Sequence, residues 1–194
     1  MRPQEHLPLT PEQYLIQERQ AEFKSEYLNG EIFAMAGATR EHNQISSNIV
    51  ISLGSQLLDK PCSVYSSDMK VKIAHTNEYT YPDIVTACDP QRFEDEHTDV
   101  LLNPTVIIEI LSDSTEAYDR GLKFFHYQRL ESLREYLLVS QKSCLLEKYA
   151  RQGDNLWAYS EFHDLADCVT LSALDCVLKL GDIYRKVELK EPII

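Results

Sequence analysis

Six residues, Val106-Ile107-Ile108-Glu109-Ile110-Leu111, put the tightest limit on how this chain can fold. A run this apolar reads as a strand from the interior of a sheet, covered on both faces. Side chains alternate along a strand, so Glu109 shares one face with Ile107 and Leu111, while Val106, Ile108 and Ile110 take the other. An ionised carboxylate in that setting is costly unless a cation or several hydrogen bonds compensate it. Two readings stay open from the strand alone. Glu109 is half of a buried ion pair with a lysine or arginine, or it belongs to a functional site.

The remaining sequence is that of an ordinary globular protein. Its 194 residues favour one domain over 1–194, and 43% hydrophobic content is enough for a core. No stretch approaches the roughly 20 apolar residues of a membrane span. Met1 to Thr10 carries Arg2 but no apolar segment, so it does not read as a signal peptide, and the expected location is the cytoplasm. Cys62, Cys88, Cys144, Cys168 and Cys176 form no C-x-x-C pair and no zinc-finger spacing; they read as small buried thiols in a reducing compartment. The net charge of −12 runs against nucleic-acid binding, which draws most of its affinity from basic surface. Part of that excess lies between Asp89 and Asp99, a run that reads as a solvated loop.

Along the chain, Thr10-Pro11-Glu12-Gln13 has the pattern of a capping box and predicts a short helix to about Gln20. Phe23–Leu28 and Glu31–Met35 flank Asn29-Gly30, the dipeptide of a tight type I′ hairpin. Thr39–Lys60 predicts a long helix with an apolar stripe at Ile45, Ile49, Leu53 and Leu57. Strands are expected at Ser63–Ile73, Tyr79–Ala87 and Thr105–Leu111. A helix is expected between Asp113 and Glu131, with Asp113 and Glu116 at capping-box spacing and Leu122, Phe125 and Leu130 on its core side. A hairpin of Glu135–Val139 and Cys144–Ala150, a strand near Leu156–Ser160 and a closing segment at Leu174–Tyr184 complete an α/β (α+β) mixed sheet flanked by helices.

Two further residues join Glu109 as candidates. Asp83 follows Pro82 at the start of an apolar strand, where a carboxylate emerges as the strand enters the sheet; alone, it is as easily a turn aspartate. Lys123 lies four residues from both Asp119 and Tyr127 on the helix after Glu109, which alone describes a surface ion pair. That helix follows the Glu109 strand within one short turn and so packs back near it. Two carboxylates and a lysine suit metal-assisted phosphodiester hydrolysis. Hard oxygen ligands hold Mg²⁺ or Mn²⁺, the ion polarises the phosphoryl group, and the lysine orients water and offsets developing charge.

The ordered set of residues resembles the PD-(D/E)XK nucleases, with Pro82-Asp83 as the "PD" and Glu109 as the second acid. More narrowly it is similar to the Uma-two family of bacterial restriction-endonuclease-like proteins, from about residue 10 to 184. The resemblance runs through Glu26-Tyr27-Leu28-Asn29-Gly30-Glu31, Gly37, His42, Asp68, Tyr81-Pro82-Asp83-Ile84-Val85 and Ile108-Glu109-Ile110-Leu111-Ser112. It continues through Thr115, Asp119, Lys123, Tyr127 and Glu135-Tyr136-Leu137-Leu138-Val139. It implies a restriction-endonuclease-like core, Asp83, Glu109 and Lys123 as catalytic residues, and Asp83 and Glu109 as metal ligands. It also implies supporting positions at Glu26, His42, Asp68, Asp119 and Tyr127, DNA as substrate and a homodimer. The superfamily's lysine would stand at Leu111, two after Glu109; here Lys123 takes its place from the following helix. Ser132-Leu133 replaces the usual glycine-valine pair.

Roles for two supporting residues stay open. His42 either contacts substrate or caps and packs its own helix; Asp68 is either a third acid near the metal or a strand-end turn residue. Two other functions compete with a nuclease. One is a catalytically silent member of the same fold acting as a binding or regulatory partner. The other is a sugar hydrolase using the two carboxylates as acid and base, disfavoured because Trp157 is the chain's one tryptophan and no aromatic platform is evident.

Overall fold

Thr10 caps the first helix in the way its spacing requires. In the computed structural model, which describes residues 8–190, its Oγ1 accepts from the Gln13 amide and Gln13 Oε1 accepts from the Thr10 amide, over α1 (Pro11–Glu18). The reading of Met1–Thr10 falls mainly outside these residues. The hairpin follows as β1 (Ser25–Leu28) and β2 (Glu31–Ala34), with φ of 51° at Asn29 and 90° at Gly30 supplying the positive angles of a type I′ turn. The long helix is α2 (Arg40–Leu57), capped by Thr39 and burying Ile45, Ile49, Leu53 and Leu57.

The next two predicted strands are each broken in two. Ser63–Ile73 divides into β3 (Cys62–Ser66) and β4 (Lys70–Ile73), and Tyr79–Ala87 into β5 (Glu78–Thr80) and β6 (Ile84–Cys88). The halves belong to different sheets, with Pro82 and Asp83 at the second crossing. After β7 (Val100–Leu101) and β8 (Val106–Leu111), a short helix α3 (Glu116–Tyr118) runs through a π turn (Asp119–Lys123) into α4 (Phe124–Tyr127). Thr115 precedes this helix without a side-chain cap, so the expected Asp113–Glu116 box is not formed. The chain ends in β9 (Glu135–Ser140), β10 (Leu146–Gly153), β11 (Leu156–Phe162), β12 (Cys168–Leu171), β13 (Cys176–Lys179) and α5 (Leu180–Ile183).

A six-stranded sheet of order β11-β10-β9-β8-β6-β3 forms the centre, with β8 buried along its length. β8 and β9 run parallel, and the connection between them is the α3–α4 helix, which a parallel crossover needs. The alternation read from the sequence holds. Val106, Ile108 and Ile110 join α2, α5 and the β12–β13 hairpin in one core. Ile107 and Leu111 join Phe124, Tyr127, Val71, Ile73 and Leu101 in the other. A five-stranded sheet, β2-β1-β5-β4-β7, covers that second side, and Tyr14 and Leu15 of α1 close over Tyr27 and Tyr79. The fold is thus a mixed α/β sheet with helices on it.

Three further expectations need correction. Leu130 is buried as expected, but Leu122 and Phe125 are half exposed, because Asp119, Lys123, Phe124 and Tyr127 take the inward positions of their helix. The run from Asp89 to Asp99 is not simply solvated. Asp95 and Asp99 bind Arg19, Asp99 also binds Lys70, and Glu94 binds Lys72, so these acids of the run are tied to bases elsewhere in the fold. Cys62 and Cys88 form a disulfide instead of remaining thiols. They are direct cross-strand partners of β3 and β6, a pairing that spacing along the chain does not reveal. Among the described residues no helix is long and apolar enough to cross a membrane.

Ile49 is fully buried on α2 whereas Ile51 is mostly exposed. Ile49→Ala is expected to lower unfolding free energy by about 2–5 kcal/mol, and Ile51→Ala by less than about 0.5 kcal/mol, both read by urea denaturation.

Candidate active site

The register of the central sheet brings the two acids together. β6 pairs antiparallel with β8 through Ile84↔Ile108, and one step further along lies Asp83 opposite Glu109. The backbone makes the junction specific. The Asp83 amide donates to Glu109 Oε2 at 3.2 Å, and the Ile110 amide donates to Asp83 Oδ2 at 2.8 Å. Pro82 keeps β5 from continuing into β6, so the aspartate stands at the mouth of the strand. Both carboxylates line an open cleft of about 1170 Å³ bounded by the β1–β2 hairpin, the start of α2 and the α3–α4 helix.

Lys123 is buried against Glu109. Its Nζ lies 3.0 Å from Glu109 Oε1, 3.2 Å from Glu26 Oε1 and 3.6 Å from Asp119 Oδ1. Glu26 arrives from the hairpin and also accepts the Tyr81 amide at 3.0 Å. Tyr127 donates to Glu109 Oε1 at 3.3 Å, and its hydroxyl meets Thr80 Oγ1 at 2.9 Å. The Asp119–Lys123–Tyr127 face is therefore the inner face of the helix, reversing the surface-pair reading. π turns inside helices recur at functional sites, and this one carries Asp119 and Lys123.

The electrostatics follow from one ammonium shared by three acids. Burial opposes the charge on Lys123, but the surrounding Glu109, Tyr127, Glu26 and Asp119 outweigh it and hold the ammonium charged. Glu109 is pushed well above the ordinary carboxylate range, first by burial and then by Asp119, Asp83 and Glu26, with Lys123 pulling the other way. Asp119 is raised as well, chiefly by burial. A single lysine cannot neutralise them all.

The supporting residues divide. His42 does not cap its helix, since Thr39 Oγ1 accepts the His42 amide at 3.1 Å; its ring Nε2 instead lies 3.1 Å from Asp83 Oδ2. Asp68 sits exposed between β3 and β4, paired with Lys24 at 3.0 Å, and does not line the cleft. The sequence reading passed over Thr80 and Tyr118. Tyr118 falls off the 3.6-residue face shared by Asp119, Lys123 and Tyr127, and only the π turn brings it in.

Among the described residues no group of three or more His, Cys, Asp or Glu is arranged to hold a metal ion. Mg²⁺ is commonly held by one or two carboxylates while keeping several waters. Asp83 and Glu109, hard oxygen donors on an open cleft with negative charge in surplus, fit that requirement.

This architecture and its paired acids define a nuclease-fold protein of the restriction-endonuclease-like PD-(D/E)XK class. A crystal structure described as a "putative nuclease belonging to DUF820", from Anabaena variabilis ATCC 29413, matches with a TM-score of 0.74 and 19% identity, covering 91% of this chain and 98% of that one. An uncharacterized protein of Synechocystis sp. (strain ATCC 27184 / PCC 6803 / Kazusa) is 35% identical over 177 residues, 91% of this chain and 92% of its own. A second uncharacterized protein of that organism is 36% identical over 153 residues, 79% and 86% respectively. Residues 11–180 match the family Uma2, described as "Putative restriction endonuclease". The chain belongs to the Uma2 family.

Removing the shared cation leaves three buried carboxylates facing one another. Lys123→Met is expected to cost about 3–5 kcal/mol in denaturant unfolding, and adding Glu109→Gln to it recovers part of the loss. Glu109 also sets a pH dependence in chelator-treated protein. Its folded value lies above its ordinary 4.5, so the stability it lends is full below that value and is lost as pH rises through the folded one. The melting temperature of Glu109→Gln minus that of the wild type should therefore grow more positive from pH 4 to pH 8.

Proposed function

We propose that this protein is a Mg²⁺- or Mn²⁺-dependent endonuclease that hydrolyses DNA phosphodiester bonds, acting as a homodimer so that two copies address two strands. One observation carries the reading: Glu26, Glu109 and Asp119 crowd around a single lysine at the edge of an open cleft, with Asp83 beside Glu109. A buried surplus of negative charge asks for a cation. Membership of the Uma2 family and the nuclease description of the Anabaena variabilis protein point the same way.

In this reading Asp83 and Glu109 hold the ion. When bound, it polarises the phosphoryl group, lowers the pKa of water and stabilises the leaving oxygen. The rest of the work belongs to the chain. The Ile110 amide and His42 hold Asp83 at its Oδ2, and the Asp83 amide and Tyr127 hydroxyl orient Glu109. Lys123, kept charged by its acids, orients the attacking water and offsets charge on the phosphorane. The overall charge of −12 runs against this reading, since the pairing of Asp95, Asp99 and Glu94 with Arg19, Lys70 and Lys72 leaves it unchanged.

A second reading has its own observation. Lys123 already lies 3.0 Å from Glu109, which is how a silent relative would quiet a vestigial site while serving as a binding partner. Nicking of supercoiled plasmid separates the two. With Mg²⁺ or Mn²⁺ the wild type should convert plasmid to open circles. Asp83→Ala and Glu109→Ala should each lose roughly 100-fold or more of that rate, with circular dichroism and melting curves retained. Calorimetry should show Mn²⁺ binding that both variants abolish. Absent metal binding together with unchanged variants would leave the binding-partner reading in its place.

A further inference from the structure

The cleft that holds the two acids is poorly equipped to grip phosphates. Acids outnumber lysines along its walls, and among the described residues no arginine lines it. Lys123 is committed to Glu26, Glu109 and Asp119, and Lys24 is held by Asp68 and the Ser67 carbonyl. Neutralisation of phosphates by basic side chains is the usual source of affinity for duplex DNA. A strand seated in this cleft needs attraction of another kind.

The β1–β2 hairpin offers one. Cross-strand partners share a face of a sheet, and Phe33 stands directly opposite Glu26. Glu26 reaches from that face to Lys123 at 3.2 Å, so Phe33 is aimed into the cleft beside the site. Leu28 and Met35, each two positions further along its strand, alternate onto the same face and line the same wall. Phe33 is 47% exposed, and Leu122, next to Lys123 on the helix, is 51% exposed. Single apolar residues at a surface are ordinary, but here Phe23, Leu28, Phe33, Met35 and Leu122 border one cleft.

Nucleobases are what such a wall can hold. Every base has a π face that stacks on an aromatic ring, and the contact needs no cation. In a continuous duplex those faces are covered by the neighbouring pairs, so a strand that stacks on the hairpin is unpaired where it crosses it. We propose that Phe33 is the stacking residue of a base platform, and that the substrate is DNA unpaired at the cleft, opened stretches of a supercoiled duplex included. This rests on the endonuclease reading and narrows its substrate. Phe33 selects the strand, and Asp83 and Glu109 act on it.

Fluorescence anisotropy with Ca²⁺ in place of Mg²⁺ tests this on probes of equal length. They are a single-stranded DNA, its duplex, and a strand of abasic sites that keeps the phosphates and lacks the bases. The wild type should bind the single strand at least about 10-fold more tightly than either of the others. Phe33→Ala should lose about 10- to 100-fold of that affinity and none of its affinity for the abasic strand, while Phe33→Tyr keeps both. Ile32→Ala is the control, with affinity unchanged. Ile32 is 45% exposed on the same strand but stands opposite Tyr27, on the face turned away from the cleft. Equal binding of abasic and normal strands, preference for duplex, unchanged affinity in Phe33→Ala, or no binding to any probe overturns the proposal. A change of oligomeric state in Phe33→Ala, read by sedimentation, puts a second copy on this face and overturns it too. Should Phe33→Ala not fold, Phe33→Leu, which keeps bulk without a ring, takes its place and should lose affinity in the same direction. Cleavage with Mn²⁺ keeps the two readings apart. If the wild type cuts no DNA, or Asp83→Ala cuts equally well, the endonuclease reading fails, and the binding comparison still decides Phe33.

Discussion

The ammonium of Lys123 is the point at which three separate parts of the chain meet. Glu26 comes from the hairpin, Glu109 from the middle of the central sheet, and Asp119 from the helix that carries the lysine itself. None of these carboxylates would be tolerated in its position without a partner, because each is almost fully removed from water. The lysine thereby fixes the height of the helix over the sheet and the approach of the hairpin to both. Tyr127 extends the same junction, reaching Glu109 on one side and Thr80 of β5 on the other. What looks like a set of site residues is also the tie between the five-stranded and six-stranded sheets.

Much of this was legible in the amino-acid order. The aliphatic run around Glu109 announced a central strand, and its alternation assigned the two cores correctly because a strand buried on both faces has no freedom in which side chain goes where. The Thr10 cap, the Asn29-Gly30 turn and the stripe of α2 are local patterns, and local patterns are where sequence speaks most plainly. The segments from Ser63 to Ala87 read as two long strands, since β-propensity does not record a change of sheet. Leu122 and Phe125 read as inward because burial usually follows hydrophobicity. Here Asp119 and Lys123 turn in beside Phe124 and Tyr127, and ion pairing makes that stable.

The candidate site shows the same division. Asp83, Glu109 and Lys123 each had an ordinary explanation when taken singly, and only their order along the chain joined them. The structure supplies what the order lacked, namely the strand register that seats Asp83 beside Glu109 and the widened turn that brings Tyr118 to Lys123. The pairing of Cys62 with Cys88 was hidden for a related reason, being a property of which strands are neighbours.

Because Glu26 lies far from Glu109, Asp119 and Lys123 along the chain, no short fragment contains the whole charge arrangement. Contacts between segments so distant in sequence form late, after the loop-closure cost between them has been met. A nascent or partly denatured chain would hold the acids dispersed in water, each ionising at its ordinary value. In a protein built this way the charge arrangement exists only once the architecture is finished.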